Sequence, residues 1–218
     1  MTNPQILSCQ AAIEQRRAAR AFRPDSIPED ILREILRLGL RSPSGYNLQP
    51  WRFIILRQAD SKAKLRACAF DQHQVTEAPV VLICCGDRRV NNGDYIESVI
   101  ALGEQVGAMT DAFANYMRSA IPQLFEQHPC FESIEAWTNR HTLLAVAHLM
   151  IAAQSLGVDS CPMEGFVSAQ VKAEFAIPDA VDVCCLLPLG YAAEPIKAYG
   201  GRFAIEQVCY GEQFGETF

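Results

Sequence analysis

The apolar positions of this chain alternate between two spacings, and each change of spacing marks an element. Ile6, Cys9 and Ile13 recur at helical intervals and lead into Arg16-Arg17-Ala18-Ala19-Arg20. Ser26 to Arg41 reads as the clearest helix. Pro28 suits its first turn, Glu29 and Asp30 favour its positive end, and Ile31, Ile35 and Leu38 form an apolar stripe. Leu32 and Leu36 widen that stripe, which predicts packing on both flanks. Trp51 to Leu56 reads as a strand, Asp60 or Ser61 caps a short helix through Cys68, and Gln72 to Glu77 forms another before the buried strand Val80 to Cys85. From Ile96, the residues Val99, Leu102, Val106, Met109, Phe113 and Met117 step by three and four, predicting one long amphipathic helix that ends near Pro122. Ile121 to Phe131 breaks the period and is expected to be either a lid over a site or a packed connection. Glu132 to Leu156 is a second long helix, with Ala145, Ala147, Ala152 and Ala153 along it and Gly157 placed to end it. A brief strand at Val158 to Cys161, a helix at Ser168 to Phe175 and an apolar strand at Val181 to Leu187 follow, and the tail after Pro195 is loosely patterned.

No repeat, low-complexity run or linker divides these elements, so one domain over residues 1–218 is expected. The 218 residues are 50% hydrophobic and 20% charged, the balance of a globular chain able to bury a full core. With 25 acidic against 19 basic residues the net charge is -6, and no basic block is present, so nucleic acid and anionic membranes are poor partners. Apolar runs are strand-sized and the first residues lack the shape of a signal peptide, which predicts a cytoplasmic protein. The nine cysteines include no Cys-x-x-Cys pair. Cys84-Cys85 and Cys184-Cys185 lie in strand runs, where neighbours point to opposite faces and cannot share one metal. His141 and His148, seven apart on one helical pattern, have no carboxylate-rich partner and read as core or interface residues.

Three stretches remain as candidates for chemistry. Ser42 to Trp51 (Ser-Pro-Ser-Gly-Tyr-Asn-Leu-Gln-Pro-Trp) joins a helix to a strand and presents Ser44, Tyr46, Asn47 and Gln49, neutral hydrogen-bonding groups suited to a flat, polar-edged cofactor. The alternative is an ordinary connection in which Trp51 is simply core. The three arginines of Arg16 to Arg20 either answer a helix C-terminus or converge on a phosphate, to which a guanidinium donates two parallel hydrogen bonds. Cys161 to Phe166 is a Pro- and Gly-shaped turn between a strand and a helix, whose backbone N–H groups can meet a ring nitrogen. The chain holds no Gly-x-Gly, which excludes the dinucleotide fingerprint, and Ser44 lacks the Gly-x-Ser-x-Gly elbow of a serine hydrolase.

Taken together, Arg16-Arg17-Ala18-Ala19-Arg20-Ala21-Phe22, Pro43-Ser44-Gly45-Tyr46-Asn47-Leu48-Gln49-Pro50-Trp51, Pro162-Met163-Glu164-Gly165-Phe166 and Arg202-Phe203-Ala204-Ile205-Glu206 resemble the FMN-dependent nitroreductase family in order, spacing and length. The resemblance implies an α+β fold, with a central, mostly antiparallel sheet wrapped by helices, in a homodimer with two FMN sites at its interface. The C-terminal extension would cross to the partner's sheet, and the helix Glu132 to Leu156, with its run of alanines, is the candidate for the dimer core. Carried over, the resemblance assigns Arg16, Arg17 and Arg202 to the FMN phosphate, with Ala18 in the same segment, and sets Arg20 at the pyrimidine edge of the flavin. Pro43, Ser44, Gly45 and Asn47 would reach the flavin from the second subunit. Pro162, Met163, Glu164 and Gly165 would run beside the ring, with a backbone N–H near N5, and Asp71 and Gln74 would meet the ribityl chain and ring edge. No side chain is assigned as a catalytic acid, base or nucleophile, and no metal is expected. Phe113, Tyr116 and Phe125 are the expected substrate contacts. Two positions depart from the family pattern, Ala18 where serine is common and Gly200 where lysine often stands, and both lessen the expected hold on the phosphate. The implied activity is NADPH- or NADH-dependent reduction of nitroaromatics, quinones or related electron-poor acceptors in two hydride steps. The alternatives are a flavin carrier or sensor without turnover, or a specialised branch such as an enoyl reductase, an azoline oxidase or a dehalogenase.

Overall fold

A computed structural model describes residues 6–127, 133–193 and 198–218. Its centre is a four-stranded antiparallel sheet in the order β1-β2-β4-β3, formed by β1 (Trp51–Leu56), β2 (Val80–Asp87), β3 (Asp159–Ser160) and β4 (Val181–Gly190). β2 and β4 occupy the middle and are almost wholly apolar, as strands covered on both faces must be. The vicinal cysteines divide as alternation predicts. Cys84 and Cys185 are cross-strand partners in one core cluster, whereas Cys85 joins the cluster on the opposite face. A bulge between Cys84 and Cys85 shifts the register there, so that Cys85 pairs with Val183.

One face of the sheet is covered by α3 (Ala59–Cys68), α4 (Gln74–Glu77) and α8 (Ser168–Glu174), whose Leu65, Val75 and Val171 are fully buried. The other is covered by α2 (Glu29–Gly39) and α7 (Ile134–Ser155). α2 buries Leu32 and Ile35, and Gly39 lies so close to α7 that a Cβ there would stand 2.2 Å from Leu149 Cδ2. Ser133 caps α7 by accepting a hydrogen bond from the Ala136 N–H at 3.0 Å, and Gly157 follows at φ +75° as its left-handed terminus. The predicted start of that helix at Glu132 lies outside the described residues.

The single helix expected from Ile96 is in fact two. α5 (Gly93–Gln105) stops at a turn where Gly107 takes φ +70°, and α6 (Asp111–Gln127) begins beyond it. The helical period survives the break because both helices feed one cluster: Ile96, Val99 and Ile100 meet Ala114, Met117, Ile121 and Phe125. Pro122 lies inside α6 and does not end it. Proline removes one backbone donor, and here the burial of Ile121 and Phe125 on either side outweighs that loss. Thus the first residues of the expected aperiodic segment are helical to Gln127, and 128–131 lie outside the described residues. α1 (Cys9–Gln15) packs on the C-terminal part of α7, and the described tail residues, 198–218, carry α9 (Ile205–Val208) and an isolated bridge between Tyr210 and Thr217.

Candidate functional site

Arg16 is the C-terminal cap of α1, donating its N–H to the Ala12 carbonyl at 3.0 Å. The chain then runs alongside β3: Ala18 bridges Ser160 in parallel, and the Ala19 N–H donates to the Ser160 carbonyl at 3.1 Å. This pairing holds the arginine segment at the edge of the sheet. Arg16, Arg17 and the distant Arg202 thereby line one cleft of about 620 Å³, with Tyr199 from the tail and Ala147, Met150 and Ile151 of α7. Arg17 donates through Nη1 to the carbonyls of Glu14 (2.6 Å) and Arg16 (2.9 Å). The guanidinium carbons of Arg17 and Arg202 lie 4.8 and 5.5 Å from the Tyr199 ring centroid. Arg16 Nη1 is buried without a hydrogen-bond partner, and the Ser160 hydroxyl is in the same condition. Among the described residues, no carboxylate pairs with Arg16, Arg17 or Arg202. Glu14 also lines the cleft, but its carboxylate accepts from Gln10 Nε2 at 2.9 Å and forms no ion pair with the three arginines. Guanidinium groups without an ion-pair partner, in a chain of net charge -6, suit an anion, and their forked donors suit a phosphate. Arg20 does not line this cleft. Burial raises the pKa of Cys161, while the charges of Arg20 and Arg16 work to lower it, so both guanidinium groups lie within electrostatic reach of that thiol.

In that turn, backbone pairing continues through Met163, whose N–H donates to the Leu186 carbonyl at 2.9 Å and whose carbonyl accepts from the Leu186 N–H. Pro162 and Glu164 are exposed and Met163 is buried. The Gly165 carbonyl accepts from Gln72 Nε2 at 2.7 Å, and Gln72 is held in turn by the Ala69 carbonyl at 3.1 Å and by Gln74 Nε2 at 3.2 Å. A Cβ at residue 165 would stand 2.8 Å from Gln72 Nε2, so a side chain there would displace the Gln72 amide from this contact. Of the residues expected here, Gln74 is buried and acts through Gln72, while Asp71 is exposed and paired with Arg66 at 2.7 Å. The sequence reading passed over Gln72. Its signal is the turn in front of it, where Phe70 and Asp71 adopt φ of 51° and 55° and turn the chain toward residue 165.

The loop before β1 is strained. Tyr46, Asn47 and Gln49 have φ of 51°, 55° and 45°, conformations that each cost on the order of 1 kcal/mol and persist only where surroundings fix them. Here Ser44 Oγ accepts from the Gln49 N–H at 2.9 Å, the Tyr95 hydroxyl donates to the Leu48 carbonyl at 2.8 Å, and Leu48 and Trp51 are buried. Gly45 rests against Trp137, whose ring lies 3.9 Å from that of His141 and is met edge-on by Phe125 at 5.3 Å. Pro43 and Asn47 point to solvent. Tyr46 continues into a row of rings from α6, with Tyr116 at 6.3 Å and Phe113 a further 6.2 Å on. Phe113 and Tyr116 are exposed, whereas Phe125 is only 4% exposed and cannot stack on a ligand in this arrangement. The loop sits at Trp137 and the arginine cleft at Ala147 to Ile151, roughly 15–20 Å apart along α7 at 1.5 Å per residue. Within one chain the loop and the arginine cleft therefore touch different parts of α7.

Comparison with known proteins gives this geometry its context. The profile described as the nitroreductase family matches residues 13–191. The chain belongs to the nitroreductase family. Among its relatives, the Thermus thermophilus protein named NADH dehydrogenase is 34% identical over 189 residues, covering 87% of this chain and 89% of its own. Bacillus subtilis YodC, which carries the name NAD(P)H nitroreductase, is 31% identical over 170 residues, covering 78% of this chain and 81% of its own. A nitroreductase-like protein of Streptococcus mutans superposes with a TM-score of 0.84 at 25% identity, covering 94% of this chain and 98% of its own. A nitroreductase-type protein of Exiguobacterium sibiricum crystallised with FMN gives a TM-score of 0.85 at 22% identity, covering 97% of this chain and 100% of its own. This nitroreductase-family chain has no helix among the described residues that is long and apolar enough to cross a membrane, and no cluster of three or more His, Cys, Asp or Glu suited to a metal.

Proposed function

We propose that this nitroreductase-family chain is a cytoplasmic, single-domain FMN-dependent NAD(P)H oxidoreductase that acts as a homodimer on quinones, nitroaromatics or similar electron-poor acceptors. The observation that carries the reading is the partnerless buried Nη1 of Arg16 in a cleft shared with Arg17 and Arg202, because a buried cationic donor left unsatisfied implies a ligand that satisfies it. The terminal phosphate of FMN fits that donor set, and the Exiguobacterium sibiricum relative in the fold binds FMN. When bound, FMN supplies two-electron chemistry, accepting a hydride from NAD(P)H and passing the electrons to the acceptor.

The chain's own residues position and tune. Arg16, Arg17 and Arg202 hold the phosphate, with Ala18 contributing backbone beside β3. Arg20, whose charge reaches Cys161, would stabilise negative charge at the pyrimidine edge of a bound flavin. Pro162, Met163, Glu164 and Gly165 run along the ring, and the Gln74–Gln72–Gly165 chain of hydrogen bonds fixes the orientation of the peptide that faces it. Asp71 lies at the rim of this region. Pro43, Ser44, Gly45 and Asn47 serve the partner's site, and Phe113 and Tyr116, continuous with Tyr46, form the platform for a planar acceptor. Phe125 acts from behind through Trp137.

Dimerisation is supported by the separation of loop and cleft along α7 and by the apolar surface one chain leaves open. Of the alanines on the helix expected to form the dimer core, Ala145, Ala152 and Ala153 are buried within their own chain and Ala147 is half-buried. The face available to a partner is instead formed by Leu143 and Leu144, exposed by 40% and 44%, with Ile13 at 55%. The tail presents Phe203, Val208, Phe214 and Phe218, and the outer edge of β1 borders a groove lined by Leu36, Leu40, Phe53, Ile55 and Leu102. A tail exchanged onto that edge would cover both. Multiple-turnover oxidation of NADPH or NADH with menadione tests the activity: sustained turnover supports the enzyme, and a flavoprotein that is reduced once and stops would be a carrier or sensor.

A further inference from the structure

The sequence Tyr199-Gly200-Gly201-Arg202 folds back on itself in the tail. Gly201 adopts φ +77°, a conformation open to glycine, and the Arg202 guanidinium returns over the ring of the residue three positions before it. Arg17, nearly the whole chain away in sequence, rests on the same ring. Two guanidinium groups repel one another and, on an exposed surface, disperse into water. The π-face of an aromatic ring attracts both, and it does so without offering a negative charge that would compete for them. An aspartate in its place would gather the arginines equally well but would neutralise the site and oppose an incoming anion. Arg17 is further fixed from behind by the Glu14 and Arg16 carbonyls, and Arg202 by the Gly201 carbonyl at 2.5 Å, so each has donors bound on one side and Tyr199 beneath. With the ring 57% exposed and lining the cleft, its role is not core packing.

We propose that Tyr199 is a positioning residue for phosphate recognition, gathering Arg17 of the N-terminal segment and Arg202 of the tail into one receptor before the ligand arrives. The inference rests on the FMN reading above and deepens it by naming what preorganises the site. It makes a distinction that a merely structural role does not: loss of the ring weakens ligands that carry the terminal phosphate and spares those that lack it. The test compares FMN with riboflavin, measured by fluorescence quenching on wild-type holo-capable dimer and on Tyr199→Phe, Tyr199→Leu and Tyr199→Ala. Tyr199→Phe should keep the wild-type preference for FMN over riboflavin. Tyr199→Leu, which keeps an apolar side chain but not the π-face, and Tyr199→Ala should each reduce that preference about 10-fold, the scale of one to two cation–π contacts, with riboflavin affinity unchanged. A preference retained in Tyr199→Leu and Tyr199→Ala overturns the role of the ring and leaves the FMN reading standing. Equal weakening of FMN and riboflavin also overturns it, since the ring would then support the site as a whole. A wild-type protein that does not prefer FMN to riboflavin removes both this inference and the reading beneath it.

Discussion

Replacing Arg16 with methionine should move stability and ligand affinity in opposite directions. The aliphatic stem of Arg16 is retained by Arg16→Met, while the buried Nη1, which has no partner in the free chain, is removed. An unsatisfied buried donor costs about 1–3 kcal/mol, so the flavin-free variant should be more stable than wild type by up to that amount, roughly 2–4 °C per kcal/mol in Tm for a chain of this length. The same donor forms a charge-assisted contact with the phosphate, about 1.5–3 kcal/mol, and its loss should raise the Kd for FMN by roughly 10- to 150-fold. Thermal unfolding of the flavin-free dimer followed by circular dichroism, together with FMN titration by fluorescence, reads both quantities on one preparation. Arg17→Met is the control, because Arg17 already donates to the Glu14 and Arg16 carbonyls and its removal should not stabilise the free chain. A flavin-free Arg16→Met protein less stable than wild type, with FMN affinity unchanged, would show that Arg16 serves the fold and not a ligand.

Phe125→Ala opens a cavity beside Trp137 and should cost roughly 3–5 kcal/mol in urea unfolding, whereas Phe113→Ala and Tyr116→Ala, at exposed positions, should leave stability within about 0.5 kcal/mol and instead change relative kcat/KM among quinones and nitroaromatics; unchanged ratios would remove the α6 rings from the acceptor site. Asp87 is 2% exposed, and although burial pushes its pKa up, the Arg89 side chain and N–H together with Arg52 hold it below the ordinary carboxylate value. A depressed folded pKa contributes stability that is present above the unfolded value and lost as pH falls through the folded one, so Asp87→Asn should flatten the acid limb of stability below about pH 4; an unaltered slope between pH 5 and 3, about the range where carboxylates titrate, would assign that limb elsewhere. If the loop completes the partner's site, mixed dimers of Arg16→Ala and Asn47→Asp chains should recover activity that neither parent shows, because both lesions fall in one site and the other stays intact; no recovery on subunit exchange would mean that each loop serves its own chain.

Much of the fold was legible because each strong period has one physical cause. The stripe of Leu32 and Ile35, the strands Trp51–Leu56, Val80–Asp87 and Val181–Gly190, and the Gly157 terminus of α7 all stand where spacing and capping put them. The break between α5 and α6 was not legible, since Leu102, Val106 and Phe113 continue the spacing across Gly107 in the sequence although the structure leaves all three exposed. Pro122 misled for the opposite reason: a local rule against proline yielded to burial on either side. At the site, the arginine segment and the 161–166 turn could be read as motifs, but their supports could not. Tyr199, Gln72 and the Trp137 ring against Gly45 act through contacts between residues far apart in sequence, which periodicity does not encode. The alanines of α7 looked like an interface from composition, yet small residues serve close packing within a chain as readily as between chains.

The identity of the bound cofactor tests the central claim most directly. Protein purified without added flavin, or after incubation with FMN and desalting, should be yellow, and denaturation should release a flavin that chromatographs as FMN, as expected of guanidinium groups arranged for one terminal phosphate. Release of FAD, or a colourless protein that takes up no FMN, would contradict the account.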